Sequence, residues 1–169
     1  MADTHIPSKG KRWATEPVVG FFKRARPDLI LHAGDAGHQS ILDELQVLAP
    51  TLAVRGNADP LDLVETLPDQ WRVTIGRRTV LLLHGDRGRS ALATARAAAG
   101  EGIDLVVFGH SHQPLIELVG ATILFNPGSP TERRWNPHFG IGLIKVADDE
   151  IDPELILFED PRHLDRVSP

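Results

Sequence analysis

Five short polar blocks carry the residues most capable of chemistry: Asp3-Thr4-His5, Gly34-Asp35, Gly56-Asn57-Ala58-Asp59, His84-Gly85 and Gly109-His110-Ser111-His112. Within them Asp3, His5, Asp35, Asn57, His84, His110 and His112 offer carboxylate, imidazole or amide donors. A set of this size can hold two divalent cations and direct them at a phosphate group, the arrangement by which two-metal sites promote in-line displacement. Imidazole-rich ligation with two carboxylates suits Mn, Fe, Zn, Ni or Co better than Mg or Ca, and manganese is the ion expected first. Asp35 is the natural bridge, because one carboxylate has two oxygens and can serve two cations. Asn57 adds an oxygen donor without adding charge, so two divalent ions would leave the centre positive and attractive to an anion.

Each block has a plainer reading when taken alone. Asp35 could cap a helix or close a turn, His84 could be a core histidine, and His32, His38, His138 and His163 are read as structural. The set is read as one site because every block after the first follows an apolar run. Those runs are short, rich in β-branched residues and bounded by Gly, Asp, Asn or Pro, which is how strands read. Strands are expected over Leu29–Ala33, Thr51–Arg55, Trp71–Ile75, Thr79–His84, Leu105–Phe108, Leu115–Val119, Thr122–Phe125, Ile141–Val146 and Leu155–Phe158.

Three stretches have helical spacing instead. Val18, Phe21, Phe22 and Ala25 form a stripe between Trp13 and Arg26; Ile41, Leu42, Leu45, Val47 and Leu48 form another, stopped by Pro50; Ser90–Ala99 is Ala-rich and ends at Gly100. The first half thus alternates strand and helix, predicting parallel βαβ units, and the second half is strand-rich with tight turns, predicting an antiparallel sheet. Ligand sites in open α/β sheets lie beyond the carboxyl ends of the strands, where the blocks fall. Residues i and i+2 of a strand share a face, so Asp3 with His5, and His110 with His112, are each expected to aim two donors at one point. Gly34, Gly56, Gly85 and Gly109 would let the backbone turn sharply beside them. The first block is the exception, with only Met1 and Ala2 before it; a first strand that is missing or truncated at the N-terminus is the expectation.

Composition narrows the classes. The 169 residues suit a single domain over 1–169, with the Pro- and Asp-rich tail from about residue 160 expected to be loosely held. With no cysteine, disulfides and thiolate metal sites are excluded and any metal must be held by N and O donors. A formal charge of −5 argues against charge-driven nucleic-acid binding, leaving nucleic acid as a partner only in the role of substrate. No apolar run reaches the length of a membrane span and the start lacks a signal pattern, so a cytoplasmic protein without membrane partners is expected. Homo-oligomerisation is left open.

The blocks, in this order, resemble the calcineurin-like metallophosphoesterase superfamily, which carries D-x-H, G-D, G-N-x-[DHE], H-G and G-H-x-H. The chain is most similar to its small single-domain prokaryotic phosphodiesterases, which share the Asn126-Pro127-Gly128-Ser129-Pro130 turn. The resemblance runs from Asp3 to about Val146. It implies an α/β fold, a four-layer α/β/β/α sandwich of two mixed sheets, with a dinuclear site at the sheet edges. It implies that Asp3, His5 and His112 hold one metal, that Asn57, His84 and His110 hold the second, and that Asp35 bridges them. Asp35, Asn57, His84 and His110 would carry catalysis, in which a metal-bridging hydroxide attacks a small phosphodiester and His110 or His84 steadies the developing charge. Asp59 is expected to orient a ligand. Asn126 and Ser129 are expected at the wall of the substrate pocket, and Arg133 and Arg134 are read as solvated surface residues.

One departure bears on the reaction. Larger phosphatases of the superfamily place a His after the Gly-Asn pair as proton donor, whereas this chain has Ala58. That weakens a phosphomonoesterase reading and favours diesters with good leaving groups. The alternative from another class is a catalytically weak or inactive member serving as a binding scaffold, as a eukaryotic retromer subunit of similar fold does.

Overall fold

Three separate clusters of buried apolar side chains divide the molecule into four layers. The computed structural model describes residues 1–7, 12–147, 150–167 and 169. Its strands are β1 (Ile30–His32), β2 (Thr51–Ala53), β3 (Gln70–Ile75), β4 (Arg78–Leu83), β5 (Leu105–Val107), β6 (Leu115–Val119), β7 (Thr122–Asn126), β8 (Phe139–Ala147) and β9 (Glu150–Phe158). Its helices are α1 (Arg12–Ala25), α2 (Gln39–Gln46), α3 (Leu61–Thr66) and α4 (Ala91–Ala98), with a 3-10 helix over Pro161–Arg166.

The first cluster packs Val18, Phe21 and Phe22 of α1 and Ile41, Leu42 and Leu45 of α2 onto Ile30, Ile141, Ile156 and Phe158. The second lies between the two strand layers and joins Ala33 and Val54 to Val80, Leu82, Leu105, Val107 and Phe125. The third covers the far face with α4, setting Ala91 and Ala95 against Leu81, Leu83, Val106 and Leu124. Alternation along β4 and β5 explains the division, since Val80 and Leu82 face one layer and Leu81 and Leu83 the other. The chain is therefore an α/β/β/α sandwich.

One strand layer is a mixed sheet in the order β3-β4-β5-β7-β6. In it β4, β5 and β7 run parallel while β3 and β6 are antiparallel to their neighbours. The other layer contains the parallel pair β1-β2 and the antiparallel pair β8-β9. The expected parallel first half is found in β1-α2-β2. The second half is less purely antiparallel than expected: β7 joins β5 in parallel, because β6 and β7 form a hairpin that enters the sheet by its second strand.

As expected, no strand forms over residues 1–7, yet the segment is fastened: the Ala33 N–H donates to Met1 O at 2.9 Å and the Asp3 N–H to Gly34 O at 3.0 Å, which holds it along the edge of β1. The tail is also docked, because Leu164 is fully buried in the first cluster and its carbonyl accepts a 2.8 Å hydrogen bond from Arg24 Nη2. Among the described residues no helix is long and apolar enough to cross a membrane. Between α1, β1, β8 and the five-stranded sheet lies a cavity of about 420 Å³, lined mainly by apolar side chains including Phe22, Leu31, Leu105, Phe125 and Ile144.

Candidate metal centre

The ends of β1, β2, β4 and β5 point to one edge of the sandwich, and the polar blocks leave the strands there. Asp35 follows β1, Asn57 follows β2, His84 follows β4 and His110 follows β5. The side chains gather in two groups, Asp3 with His5 and His112, and Asp35 with His84 and His110, each with its ligand atoms within 4.8 Å of one another. Asn57 adjoins the second group, its Oδ1 3.2 Å from His84 Nε2. Asp35 stands between the two, with Oδ2 3.3 Å from His84 Nε2 and 3.6 Å from His5 Nε2.

Backbone conformation, not strand alternation, brings these donors together. Asp3, His5, Asp35, His110 and His112 all have positive φ, between 45° and 68°, a region uncommon for residues with a Cβ and found at functional sites under local strain. The expectation that His110 and His112 share one focus is corrected by this geometry. Both lie past the end of β5 in left-handed conformation, and the chain turns between them, so His110 joins Asp35 while His112 joins Asp3.

The surroundings hold each donor in place. His84 Nδ1 lies 2.8 Å from Ala33 O, which leaves Nε2 facing Asp35. His112 Nδ1 is paired with Glu132 O, leaving Nε2 3.2 Å from His5 Nε2 and 3.6 Å from Asp3 Oδ1. The backbone N–H of His110 donates to both Asp3 oxygens, at 3.1 and 2.9 Å. Asp59 acts on the backbone beneath Asp35: its Oδ2 accepts from the N–H of Asp35 at 3.1 Å and of Gly56 at 2.8 Å, and its Oδ1 accepts from Gly37 N–H at 2.8 Å. Gly56 is required by contact, since a Cβ there would stand 2.1 Å from Asp35 Oδ1. At Gly34, with φ of 86°, a Cβ would meet His84 Nδ1 at 2.5 Å.

The electrostatics suit cations. Asp3 and Asp35 are almost wholly buried. Burial pushes the Asp3 carboxyl up to about 7, against the pull of His84. Burial also opposes charge on Asp35, but the hydrogen bond and charge of His84 outweigh it and hold that carboxyl below its ordinary range. His84 is correspondingly held up at about 9, its burial outweighed by Asp35. Burial lowers His110, and lowers His112 to about 4. Two imidazole Nε2 atoms facing each other at 3.2 Å beside a buried carboxylate need a proton or a cation between them. The residues therefore fit divalent ions on the chemistry of their donors as well as on their grouping.

Other expected site residues fall elsewhere. Asn126 and Ser129 are fully buried and do not form a pocket wall. Asn126 Nδ2 donates to Gly109 O and Ser111 Oγ while its Oδ1 accepts from Gly128 N–H, bracing the loop of His110 from behind. Ser129 Oγ donates to Asp3 O at 2.7 Å and accepts from Glu132 N–H at 2.9 Å. His32 is buried, with Nε2 3.0 Å from Thr4 Oγ1, and burial lowers it to about 3. Thr4 escaped the sequence reading: its hydroxyl also donates to Ala36 O, tying the first block to β1.

A family model for the calcineurin-like phosphoesterase superfamily domain matches residues 1–149. The chain belongs to that superfamily. It is 35% identical over 158 residues to a probable metallophosphoesterase of Methanothermobacter thermautotrophicus, covering 92% of this chain and 89% of the relative. It is 33% identical over 164 residues to a second probable metallophosphoesterase, from Methanocaldococcus jannaschii, covering 95% and 80% respectively. In three dimensions this phosphoesterase-family chain is similar to a structurally characterised archaeal phosphodiesterase, with a TM-score of 0.70 at 22% identity over 92% of this chain and 97% of the other. It is also similar to zinc-complexed Vps29 of Entamoeba histolytica, with a TM-score of 0.68 at 21% identity over 92% and 96%. At such identities the likeness establishes a shared fold. The superfamily and the two residue groups support a metal-dependent phosphoesterase that uses divalent ions.

Proposed function

We propose that the protein hydrolyses small phosphodiesters with two divalent cations held at this centre. The observation that carries the reading is the meeting of two ligand groups at Asp35, whose Oδ2 lies within 3.6 Å of a histidine from each. Asp3, His5 and His112 would hold one ion, Asn57, His84 and His110 the other, and Asp35 would be shared. When bound, such a pair supplies Lewis acidity toward a phosphoryl group and activates the attacking water.

The chain's own groups then have definite tasks. His84, fixed through Nδ1 on Ala33 O, and His112, fixed through Nδ1 on Glu132 O, present Nε2 as donor atoms in set directions. Asp59 holds the backbone of Asp35 at its task. Ala58 follows Asn57 and donates only its backbone N–H, to Asp35 Oδ1 at 2.8 Å, so its side chain hands no proton to a departing alkoxide. Diesters with good leaving groups are favoured over monoesters on that ground. Manganese is the ion we assign first from the mixed imidazole and carboxylate donors.

The rival reading, a binding scaffold on the same fold, gives no reason for seven competent donors to be retained. Hydrolysis of bis(4-nitrophenyl) phosphate beside 4-nitrophenyl phosphate, by chelator-treated protein with and without Mn²⁺, tests the proposal. Metal-dependent cleavage of the diester with little of the monoester is expected. Folded, metal-replete protein that cleaves neither would overturn it in favour of the scaffold.

A further inference from the structure

Beside His112 the chain makes a four-residue turn, Arg133-Arg134-Trp135-Asn136, closed by a 3.0 Å hydrogen bond from Asn136 N–H to Arg133 O. The turn is anchored to His112 on both sides. Glu132 O pairs with His112 Nδ1, and Asn136 Nδ2 donates to His112 O at 2.9 Å. Arg133 is consumed within the turn, its Nη1 donating to Asn136 O and Pro137 O. The two central residues are left over. Arg134 has φ of 52°, a conformation that strains a residue with a Cβ. Trp135 is 98% exposed, the most exposed large apolar side chain among the described residues. Arg134 is loosely paired with Glu132, Nε to Oε1 at 3.7 Å, and its charge is felt at Asp3, His110 and His112.

A strained, doubly anchored turn that holds an indole in water next to a candidate metal ligand is poorly explained by folding, because tryptophan is usually well buried. We propose that this turn is a substrate platform on which Trp135 stacks a nucleobase while Arg134 meets the phosphate, so that the diesters cleaved are nucleotides. A base offers a flat face to the indole whatever its identity, and a guanidinium pairs with phosphate in bidentate fashion. A formal charge of −5 argues against charge-driven binding of a long polynucleotide, so the fitting ligand is a mononucleotide diester or a strand end.

The inference rests on the phosphodiesterase reading for its reaction but not for its binding step, and two measurements separate them. In the first, metal-free protein is titrated with AMP and the heat of binding followed by calorimetry. Saturable binding by the wild type, largely retained by Trp135→Phe and lost in Trp135→Ala, is expected. In the second, thymidine 5′-(4-nitrophenyl phosphate) is compared with ethyl 4-nitrophenyl phosphate, which shares its leaving group. Trp135→Ala should raise KM for the nucleoside ester about 5- to 150-fold, the span of one base–aromatic stack, and leave the ethyl ester unchanged. Equal effects on both esters, or AMP binding indifferent to Trp135→Ala, would overturn the platform while leaving hydrolysis intact. AMP binding through Trp135 in protein that hydrolyses nothing would sustain the platform and sink the enzyme reading. Loss of self-association in Trp135→Ala, without loss of AMP binding, would overturn the proposal in favour of a contact between copies.

Discussion

His84 Nε2 lies 3.3 Å from Asp35 Oδ2, and both side chains are about 1% exposed. A histidine fixed from behind by Ala33 O and facing a carboxylate between two donor groups makes Asp35 the hinge of the centre. Asp35→Asn keeps the shape but withdraws the charge. Calorimetric titration with Mn²⁺ should then show fewer than two ions bound per chain, against the two expected of the wild type. A variant that still binds two with unchanged affinity would sink the shared-ligand role.

Asp59 does its work through the backbone, accepting from Asp35, Gly37 and Gly56. Asp59→Ala leaves three N–H groups without that partner. Hydrogen bonds to a charged group contribute ~1.5–3 kcal/mol each and are not additive, so a loss of roughly 3 kcal/mol is expected in urea unfolding. Metal affinity should fall by about 10–100-fold, the usual effect of removing a group that orients a ligand. Loss of stability with metal affinity intact would show Asp59 to be a purely structural clamp.

Gly56→Ala probes the same carboxylate from the other side. The added methyl would need the space occupied by Asp35 Oδ1, and overpacking of this kind costs about 1–3 kcal/mol. Chemical denaturation should register that cost, and Mn²⁺ titration should register displacement of Asp35. Gly100→Ala is the control, because a Cβ there meets nothing within 4 Å.

Far from the centre, Asp104 accepts from Thr79 N–H at 2.7 Å and from Arg78 Nη1 at 2.9 Å. The Thr79 hydrogen bond first, and Arg78 second, hold its carboxyl below the ordinary range. A depressed carboxyl stabilises the fold above its unfolded value, near 3.9, and loses that contribution as pH falls through the folded value. Wild type should exceed Asp104→Asn in stability by about 1 kcal/mol at pH 7, with the gap closing below pH ~3.9. A gap that stays constant down to acid unfolding would mean that the charge contributes nothing.

Much of this was legible in the sequence, for reasons that differ by residue. The runs around Leu82 and Val106 announce strands because β-branched and aliphatic residues fill both faces of a buried sheet. Helix α3 was missed, since Leu61–Thr66 is too short for a 3.6-residue period to emerge. The parting of His110 from His112 is implied by the family resemblance but not by strand alternation. It depends on positive φ at residues that are not glycine, and the local sequence carries no mark of that. The resemblance puts the turn of Asn126 and Ser129 near the site and so implies a place at the wall, but their polarity is spent on buried carbonyls and amides. Arg134 reads as ordinary surface and Trp135 carries no signal of its own in the sequence, because only the anchoring of their turn to His112 sets them apart.

The apolar cleft between α1, β1, β8 and the five-stranded sheet opens to solvent beside the exposed Arg26, Asp28 and Lys145. Interiors are otherwise packed as densely as organic crystals, and added methylenes there are costly. Along this cleft there is room for them, so a larger apolar side chain is tolerated better at Leu31 or Ile144 than at Leu83 or Val106 under α4.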